Sequence, residues 1–508
     1  MLPSGGQHPS NEWFVRYQLR LRLAHAGYRD NSPICCAVMA HTNSSSRDTS
    51  APESSRLQPV LGLASAVAIV VGGVIGSGVF LKPEQVAEGA GGYFGLILTL
   101  WIAIGVVNLC GALALAELSA MMPHAGGSYV FLREAYGRPW GFAWAWAEFW
   151  VIRSGSTATL AAAMTVSLRQ LAATNGIILT TWTQRSIAIG TILGLAAINI
   201  VGTRWGGAVQ NLTTAIKGAF VLFLACLPFF AIGSEPVDNE ALWPTLAQLG
   251  LLGGIGSALS GIMWAYDGWA SLPNMAEEVH EPQRNVPRAL IGGIIILIVL
   301  YAGANVAYHM TLSSRQIMDM DGNATAVAAA KKLLPGIGER LTLAMMMVSV
   351  FGALNSNMLT GPRVLFAVAR DHHFLRSLSR IDPRFGTPAL AIGAVAIWSC
   401  VLILAGDLSR DPKKPLYDVL SDYCIFGASL FYLASVLAVF VLRRSRPDAP
   451  RPYRAWGYPV LPSIFVVAYI AFLGFMFWAA QWECMMGLAL IVAGLIFYAI
   501  FARGDGKS

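Results

Sequence analysis

Four glycines fall within seven residues, Gly72-Gly73-Val74-Ile75-Gly76-Ser77-Gly78, inside an otherwise apolar run. Each glycine costs a helix about 1 kcal/mol relative to alanine, so the spacing predicts a break there. A second interruption is Trp264-Ala265-Tyr266-Asp267-Gly268-Trp269, an Asp-Gly pair in another apolar stretch. Broken backbone in an apolar run leaves N–H and C=O groups without helical partners. Such backbone is tolerated only where protein buries it or where it lines a cavity. Both interruptions are therefore candidate ligand sites, although glycines also permit close helix packing.

Ionisable residues inside apolar runs are the second kind of candidate. Lys217 stands in the middle of the run Thr213-Thr214-Ala215-Ile216-Lys217-Gly218-Ala219-Phe220. A lysine at that depth costs several kcal/mol unless it snorkels or pairs. Glu148 and Arg153 share another run, but five residues apart on an α-helix they point to different faces, so the spacing does not secure a mutual salt bridge. Asp267 has two readings: its side chain caps the second half of a broken helix, or its carboxylate attracts a cationic group. Capping is slightly preferred. Glu117 reads as a structural or gating contact.

Enzyme chemistry finds no support. His280-Glu281 starts like a zinc-protease HExxH, but Arg284 stands where the second histidine belongs. Asp371-His372-His373-Phe374 has phenylalanine where a DHHC acyltransferase has its nucleophilic cysteine. Neither a Gly-x-Ser-x-Gly elbow nor a phosphate loop is present. The seven cysteines are scattered without a disulfide or zinc spacing, so neither a metal nor a cofactor is expected.

The elements that position these residues follow from composition. The chain has 508 residues, 55% of them hydrophobic and only 12% charged, with a mean hydropathy of +0.56. Soluble domains carry roughly a quarter charged residues, so the bilayer must be the solvent. Apolar runs of about 20 residues fall near 61–86, 93–121, 140–168, 183–201, 206–232 and 249–279. Six more fall near 288–310, 341–369, 388–406, 416–442, 459–479 and 485–502, about twelve in all. Lys and Arg divide roughly two to one between the two sets of loops, which predicts both termini in the cytoplasm. Topology thus accounts for the net charge of +7, and nucleic acid drops out as a partner.

Residues 1–56 are polar and serine-rich and lack the layout of a signal peptide; they read as a disordered cytoplasmic tail. Translation could begin at Met1 or at Met39. The expected organisation continues with spans 1 to 5 over 57–232 and spans 6 to 10 over 249–442. A basic cytoplasmic loop at 443–458, two further spans at 459–502 and a short tail at 503–508 complete it. The two interruptions lie about 190 residues apart, each opening a set of five spans. Paired interruptions in corresponding positions point to a secondary transporter with its site at the midplane.

Five motifs then carry a resemblance over about residues 57–480. Gly72 to Phe80 (GGVIGSGVF) is followed by Ala116-Glu117-Leu118 with Pro123 to Tyr129 and Arg133 to Gly137. Next come Ala265 to Trp269 (AYDGW) with Glu277-Glu278-Val279 and Arg284 to Arg288. Gly352 to Asn355, running on through Thr360 to Arg363 and Ala369 to Asp371, is the fourth, and Arg451-Pro452-Tyr453-Arg454 the fifth. In this order they resemble the amino acid-polyamine-organocation (APC) superfamily, and within it the L-type amino acid transporters and their bacterial relatives. The resemblance implies an all-α membrane protein of twelve transmembrane helices. Its fold would be the leucine-transporter (LeuT) type 5+5 inverted repeat with helices 1 and 6 broken.

An amino acid presents a carboxylate and an ammonium, and broken helices offer N–H groups to the first and carbonyls to the second. The resemblance places the carboxylate on Gly76, Ser77 and Gly78. It places the ammonium on Ile75 and the carbonyls of Trp264, Ala265 and Asp267. Trp264 would close over the substrate, Lys217 would stand in for a sodium ion bracing helices 1 and 8, and Asn357 would face the site. The implied function is a sodium-independent exchanger of neutral and possibly cationic L-amino acids in the plasma (inner) membrane. Proton symport or non-transporting amino acid sensing are the alternatives. Animal relatives join a heavy subunit through a cysteine between spans three and four. Residues 169–183 contain none, so no disulfide-linked heavy subunit is expected, and the protein would work as a monomer or homo-oligomer.

Overall fold

The first helix, α1 (Leu63–Val74), stops where the glycines begin, and Ile75 leaves helical geometry at ψ 86°. The computed structural model describes residues 57–230, 242–245, 248, 254–320, 324–405, 416–479 and 481–501. The expected tails at 1–56 and 503–508, and with them the choice between Met1 and Met39, lie outside the described residues. After the break come the short α2 (Gly78–Leu81) and α3 (Pro83–Gly89), then α4 (Phe94–Met121), α5 (Ser128–Tyr136) and α6 (Arg138–Ala147). A π turn, Glu148–Arg153, joins α6 to α7 (Ser154–Ala173), followed by α8 (Thr181–Val201) and α9 (Thr203–Cys226). The second interrupted run is α10 (Ile255–Tyr266) and a 3-10 segment, Trp269–Glu278. Beyond it lie α11 (Pro282–Thr311), α12 (Ser314–Met318), α13 (Thr325–Leu333) and α14 (Gly338–Asp371). The chain ends with α15 (Ala389–Leu404), α16 (Leu416–Ser445), α17 (Val460–Ala479) and α18 (Gln481–Phe501).

Among the described residues nine helices are long and apolar enough to cross a membrane, and apolar side chains such as Leu212, Val299, Val467 and Ile496 stand exposed on their outer faces. The protein is thus an all-helical integral membrane protein. The remaining three expected spans fall short of that measure for separate reasons. The span near 140–168 is divided by the π turn, the one near 249–279 is broken at Asp267–Gly268, and α15 has 16 residues.

Both interrupted elements are buried at the centre. Helix α1 packs against α9, α11, α14 and the 3-10 segment, while α10 packs against α2, α3, α4 and α17. A second apolar cluster joins α7, α8, α14 and α15 through Ala158, Ile192, Val350 and Ile392. Just before α1 the chain is strapped to the end of the 3-10 segment. The N–H groups of Val60 and Leu61 both donate to the Glu278 carbonyl at 2.9 Å, and His280 N–H donates to Leu61 O at 2.8 Å.

Candidate functional site at the two helix breaks

The two breaks meet. Gly268 has φ +106°, a conformation open to glycine, and a Cβ there would lie 3.2 Å from the Gly73 carbonyl. A Cβ on Gly78 would lie 2.5 Å from the Ala265 Cα. Glycine at these positions lets one broken backbone lie against the other, as the packing reading of the glycines requires.

Around this junction, carbonyls released by the first break are met by side chains from three helices. The buried Lys217 ammonium on α9 donates to Gly72 O (2.5 Å), Ile75 O (2.7 Å) and, on α14, Ser349 O (3.1 Å). The one hydrogen of Ser349 Oγ is shared between Ile75 O (3.1 Å) and Gly76 O (3.0 Å). Tyr301 Oη on α11 reaches Val74 O (3.2 Å) and Ala265 O (3.0 Å), linking the ends of both half-helices. Further along α1, Thr214 Oγ1 and Gln210 Nε2 both donate to Ala68 O (3.0 and 3.2 Å). Gln210, Thr214 and Lys217 therefore form one stripe at helical spacing along α9, each tied to an α1 carbonyl.

Several expected contacts take a different form. Ile75 O accepts from Lys217 and lies within reach of the Ser349 hydroxyl, so Ile75 is part of a brace between α9 and α14. The Gly76 N–H turns back onto Val74 O at 2.7 Å, which takes it out of the donor set for an anion. The amides of Gly78 and Val79 precede the first in-helix bond of α2, from Phe80 N–H to Ser77 O, and Ser77 holds the N-cap position. Trp264 O accepts from Asp267 N–H (3.1 Å) and Ala265 O from Tyr301 (3.0 Å). The Trp264 side chain is buried beside the break.

Asp267 does not cap. The N-cap position falls on Gly268, and Asp267 Oδ1 accepts from Tyr432 Oη on α16 at 2.9 Å. The slightly preferred capping reading fails because left-handed Gly268 stands between Asp267 and the first residue of the 3-10 segment, which leaves Asp267 one position too early. Glu148 and Arg153, whose mutual salt bridge the α-helical spacing left open, do pair. Five residues set two side chains about 140° apart on an α-helix, but residues 148–153 form a π turn with i→i+5 spacing. Arg153 consequently bonds Glu148 Oε1 through Nε (2.8 Å) and NH2 (2.6 Å). Arg153 also reaches Asn357 Oδ1 (2.7 Å) and Ser271 Oγ (3.0 Å). Asn357 Nδ2 donates to Ser156 Oγ at 3.1 Å, so both ends of the Asn357 amide are held by protein.

A separate network closes the end nearest the N-terminal strap. Arg363 on α14 binds Glu278 through Nε (2.7 Å) and NH2 (3.2 Å), and Thr203 Oγ1 donates to the same carboxylate at 2.6 Å. Arg370 pairs with Glu277 at 2.8 Å. Glu117 accepts from Arg443 (2.5 and 2.9 Å) and from Ala455 N–H (2.6 Å), with Arg451 at 3.2 Å, which fits its structural reading. Among the described residues no group of three or more His, Cys, Asp or Glu side chains is arranged to hold a metal.

Tyr301, Ser349 and Tyr432 were not singled out from the sequence. A signal existed for Ser349, which with Ala353 and Ser356 makes a stripe of small residues at i, i+4 and i+7 on the face of α14 toward α1. A Cβ on Gly76 would meet Ala353 Cβ at 3.4 Å, and one on Gly73 would meet Ser356 Oγ at 2.8 Å. Tyr301 and Tyr432 reach their partners across helices distant in sequence, and no local pattern marks them.

Comparison with known proteins agrees with this architecture. Residues 61–501 match the amino acid permease family. The serine/threonine exchanger SteT of Bacillus subtilis (strain 168) is 31% identical over 456 residues, covering 89% of this chain and 99% of that protein. The human b(0,+)-type amino acid transporter 1 is 31% identical over 460 residues, covering 89% of this chain and 90% of that protein. The human large neutral amino acids transporter small subunit 2 is 31% identical over 456 residues, covering 87% and 80% respectively. The chain belongs to the amino acid permease family, whose members are membrane transporters and not enzymes.

Proposed function

We propose that the protein is a sodium-independent amino acid exchanger working by alternating access. The observation that carries this reading is the Lys217 ammonium, which holds the Gly72 and Ile75 carbonyls of the broken helix and Ser349 of α14 at 2.5 to 3.1 Å. A fixed positive charge on carbonyls that would otherwise attract a metal cation makes sodium unnecessary for bracing. The substrate carboxylate would lie at Ser77 and Gly78 where α2 begins. Its ammonium would lie against the carbonyls of Trp264, Ala265 and Asp267, with Trp264 closing over it.

The same reading takes the divided elements 140–168 and 249–279 and the short α15 as membrane spans. That restores twelve, arranged as a LeuT-type pair of five-helix repeats with both termini in the cytoplasm. The tie formed by Arg363 and Glu278 would then seal the cytoplasmic side. Without a cysteine between Arg169 and Thr183, the protein would act with no disulfide-linked heavy subunit. SteT is named as an exchanger, and exchange is accordingly the preferred mode.

Purified protein in liposomes preloaded with mixed amino acids tests the proposal by uptake of radiolabelled leucine, serine and arginine. Uptake that requires internal amino acid and ignores sodium supports it. Sodium-dependent uptake, or accumulation in empty liposomes driven only by a pH gradient, replaces exchange with symport. Saturable binding without either kind of flux would make the protein a sensor.

A further inference from the structure

The charges buried beside the second break do not balance. Glu148 and Arg153 come from the π turn and Asp267 from the break, and Asp267 lies within electrostatic reach of both. The other groups facing them are neutral: the phenols of Tyr432 on α16 and Tyr469 on α17, the Asn357 amide on α14 and the Ser271 hydroxyl of the 3-10 segment. Two carboxylates thus face one guanidinium among the described residues. Arg153 commits Nε and NH2 to Glu148 Oε1, while Glu148 Oε2, on a side chain with no exposure, has no donor among the described residues. An uncompensated charge in a water-poor interior is costly enough that such a cluster takes up a counter-charge.

We infer that Glu148, Arg153 and Asp267 form a site for one exchangeable positive charge, filled by a proton when a neutral amino acid is bound and by the substrate's own side chain when lysine or arginine is bound. The inference rests on the amino acid reading above and deepens it, because it makes substrate charge and site protonation alternatives at one place. The proton belongs to the carboxylate pair as a unit. When a guanidinium or ammonium enters, the O–H bond breaks, the electron pair stays on the carboxylate and the proton leaves to solvent. Nothing is oxidised or reduced. By linkage, arginine should bind up to about tenfold more tightly per unit rise in pH while the cluster is protonated, and leucine should not.

Isothermal titration of the purified full chain with arginine and with leucine, between pH 6 and pH 8 in phosphate and in Tris, counts the protons released. Near one proton released with arginine and none with leucine is the expected result. Equal release with both ligands, or binding of leucine with no binding of arginine at any pH, overturns the inference while leaving the amino acid site intact. Binding of neither ligand, nor of serine, overturns the amino acid reading and the inference with it. Glu148→Gln balances the cluster without a proton. Arginine should then release none, and its preference over leucine should fall at least tenfold. Proton release persisting at the wild-type level in that variant would exclude Glu148 from the site. The wild-type proton count decides the question even if the variant does not fold.

Discussion

Lys217 and Ser349 share an acceptor: from α9 and α14 respectively, both donate to the Ile75 carbonyl, at 2.7 and 3.1 Å. The two helices are therefore joined through a single oxygen of the broken one. Hydrogen bonds from charged groups contribute about 1.5–3 kcal/mol each, and neutral ones about 1. Lys217→Ala should lower uptake in proteoliposomes by at least tenfold, and Ser349→Ala by roughly fivefold. Wild-type uptake by the Lys217 variant at every pH tested would remove the brace from the mechanism.

Glycine substitutions separate close packing from mere helix content. A Cβ at position 78 would strike the Ala265 backbone at 2.5 Å, whereas Gly190 on α8 has nothing within 4 Å. Gly78→Ala should abolish amino acid binding. Gly190→Ala should leave transport intact and raise stability by about 0.5–1 kcal/mol, since it only removes a flexible residue from a helix. Binding measured on detergent-solubilised protein, alongside thermal unfolding, checks both.

Tyr301 Oη lies within hydrogen-bond distance of carbonyls of both breaks, Val74 O and Ala265 O. Tyr301→Phe keeps the ring, which packs against Trp101 and Tyr266 at 5.5 and 5.0 Å between centroids, and removes only the hydroxyl. Loss of one neutral hydrogen bond, about 1 kcal/mol, should weaken substrate affinity roughly fivefold with little change in melting temperature. An unchanged affinity would mean that the two half-helix ends hold their positions without it.

Two ion pairs on α14 should differ sharply when cut. Arg363→Ala leaves Glu278 buried and uncompensated, a loss of about 3–5 kcal/mol, and thermal unfolding should show it. Arg370 is about one-third exposed and its pair with Glu277 should be worth about 1 kcal/mol at most. Equal losses from the two variants would contradict the burial argument.

Glu134, in α5, sits between Arg133 at 3.0 Å and Arg446 at 2.7 Å. Burial works to raise its pKa, but the hydrogen bond from Arg446 and the charges of both arginines outweigh it and hold the carboxyl below its ordinary range. A lowered carboxylate stabilises the fold above its unfolded pKa of about 4.3, and that contribution is lost as pH falls through the folded value. Glu134→Gln should therefore reduce the difference in melting temperature between pH 7 and pH 4; an unaltered difference would show that the pair contributes nothing.

Much of the centre was legible because bilayer burial penalises unusual residues so heavily. Glycines clustered at 72–78, Asp267 followed by Gly268, and Lys217 each violate what an apolar helix allows, and all three meet at the junction of the breaks. Partners were not legible, because Tyr432 with Asp267 and Arg153 with Asn357 join positions 165 and 204 residues apart. No periodicity carries that information. The third span was misread for a different reason: periodicity presumes one helical pitch, and the pitch changes at Glu148.

That change of pitch has a consequence for comparing relatives. A π turn holds one residue more than the α turn it replaces, and the carbonyls it loosens need donors from outside, as when Trp398 Nε1 bonds Trp150 O at 2.9 Å. A related chain one residue shorter between 148 and 153 would run straight through as α-helix. The glutamate and arginine would then stand four residues apart, the spacing that places two side chains on one face of an α-helix, so their contact would survive the loss of the turn. A one-residue gap at this point in an alignment would thus mark a change of backbone pitch, and of the outside donors its carbonyls need, while the charged pair of the buried pocket is kept.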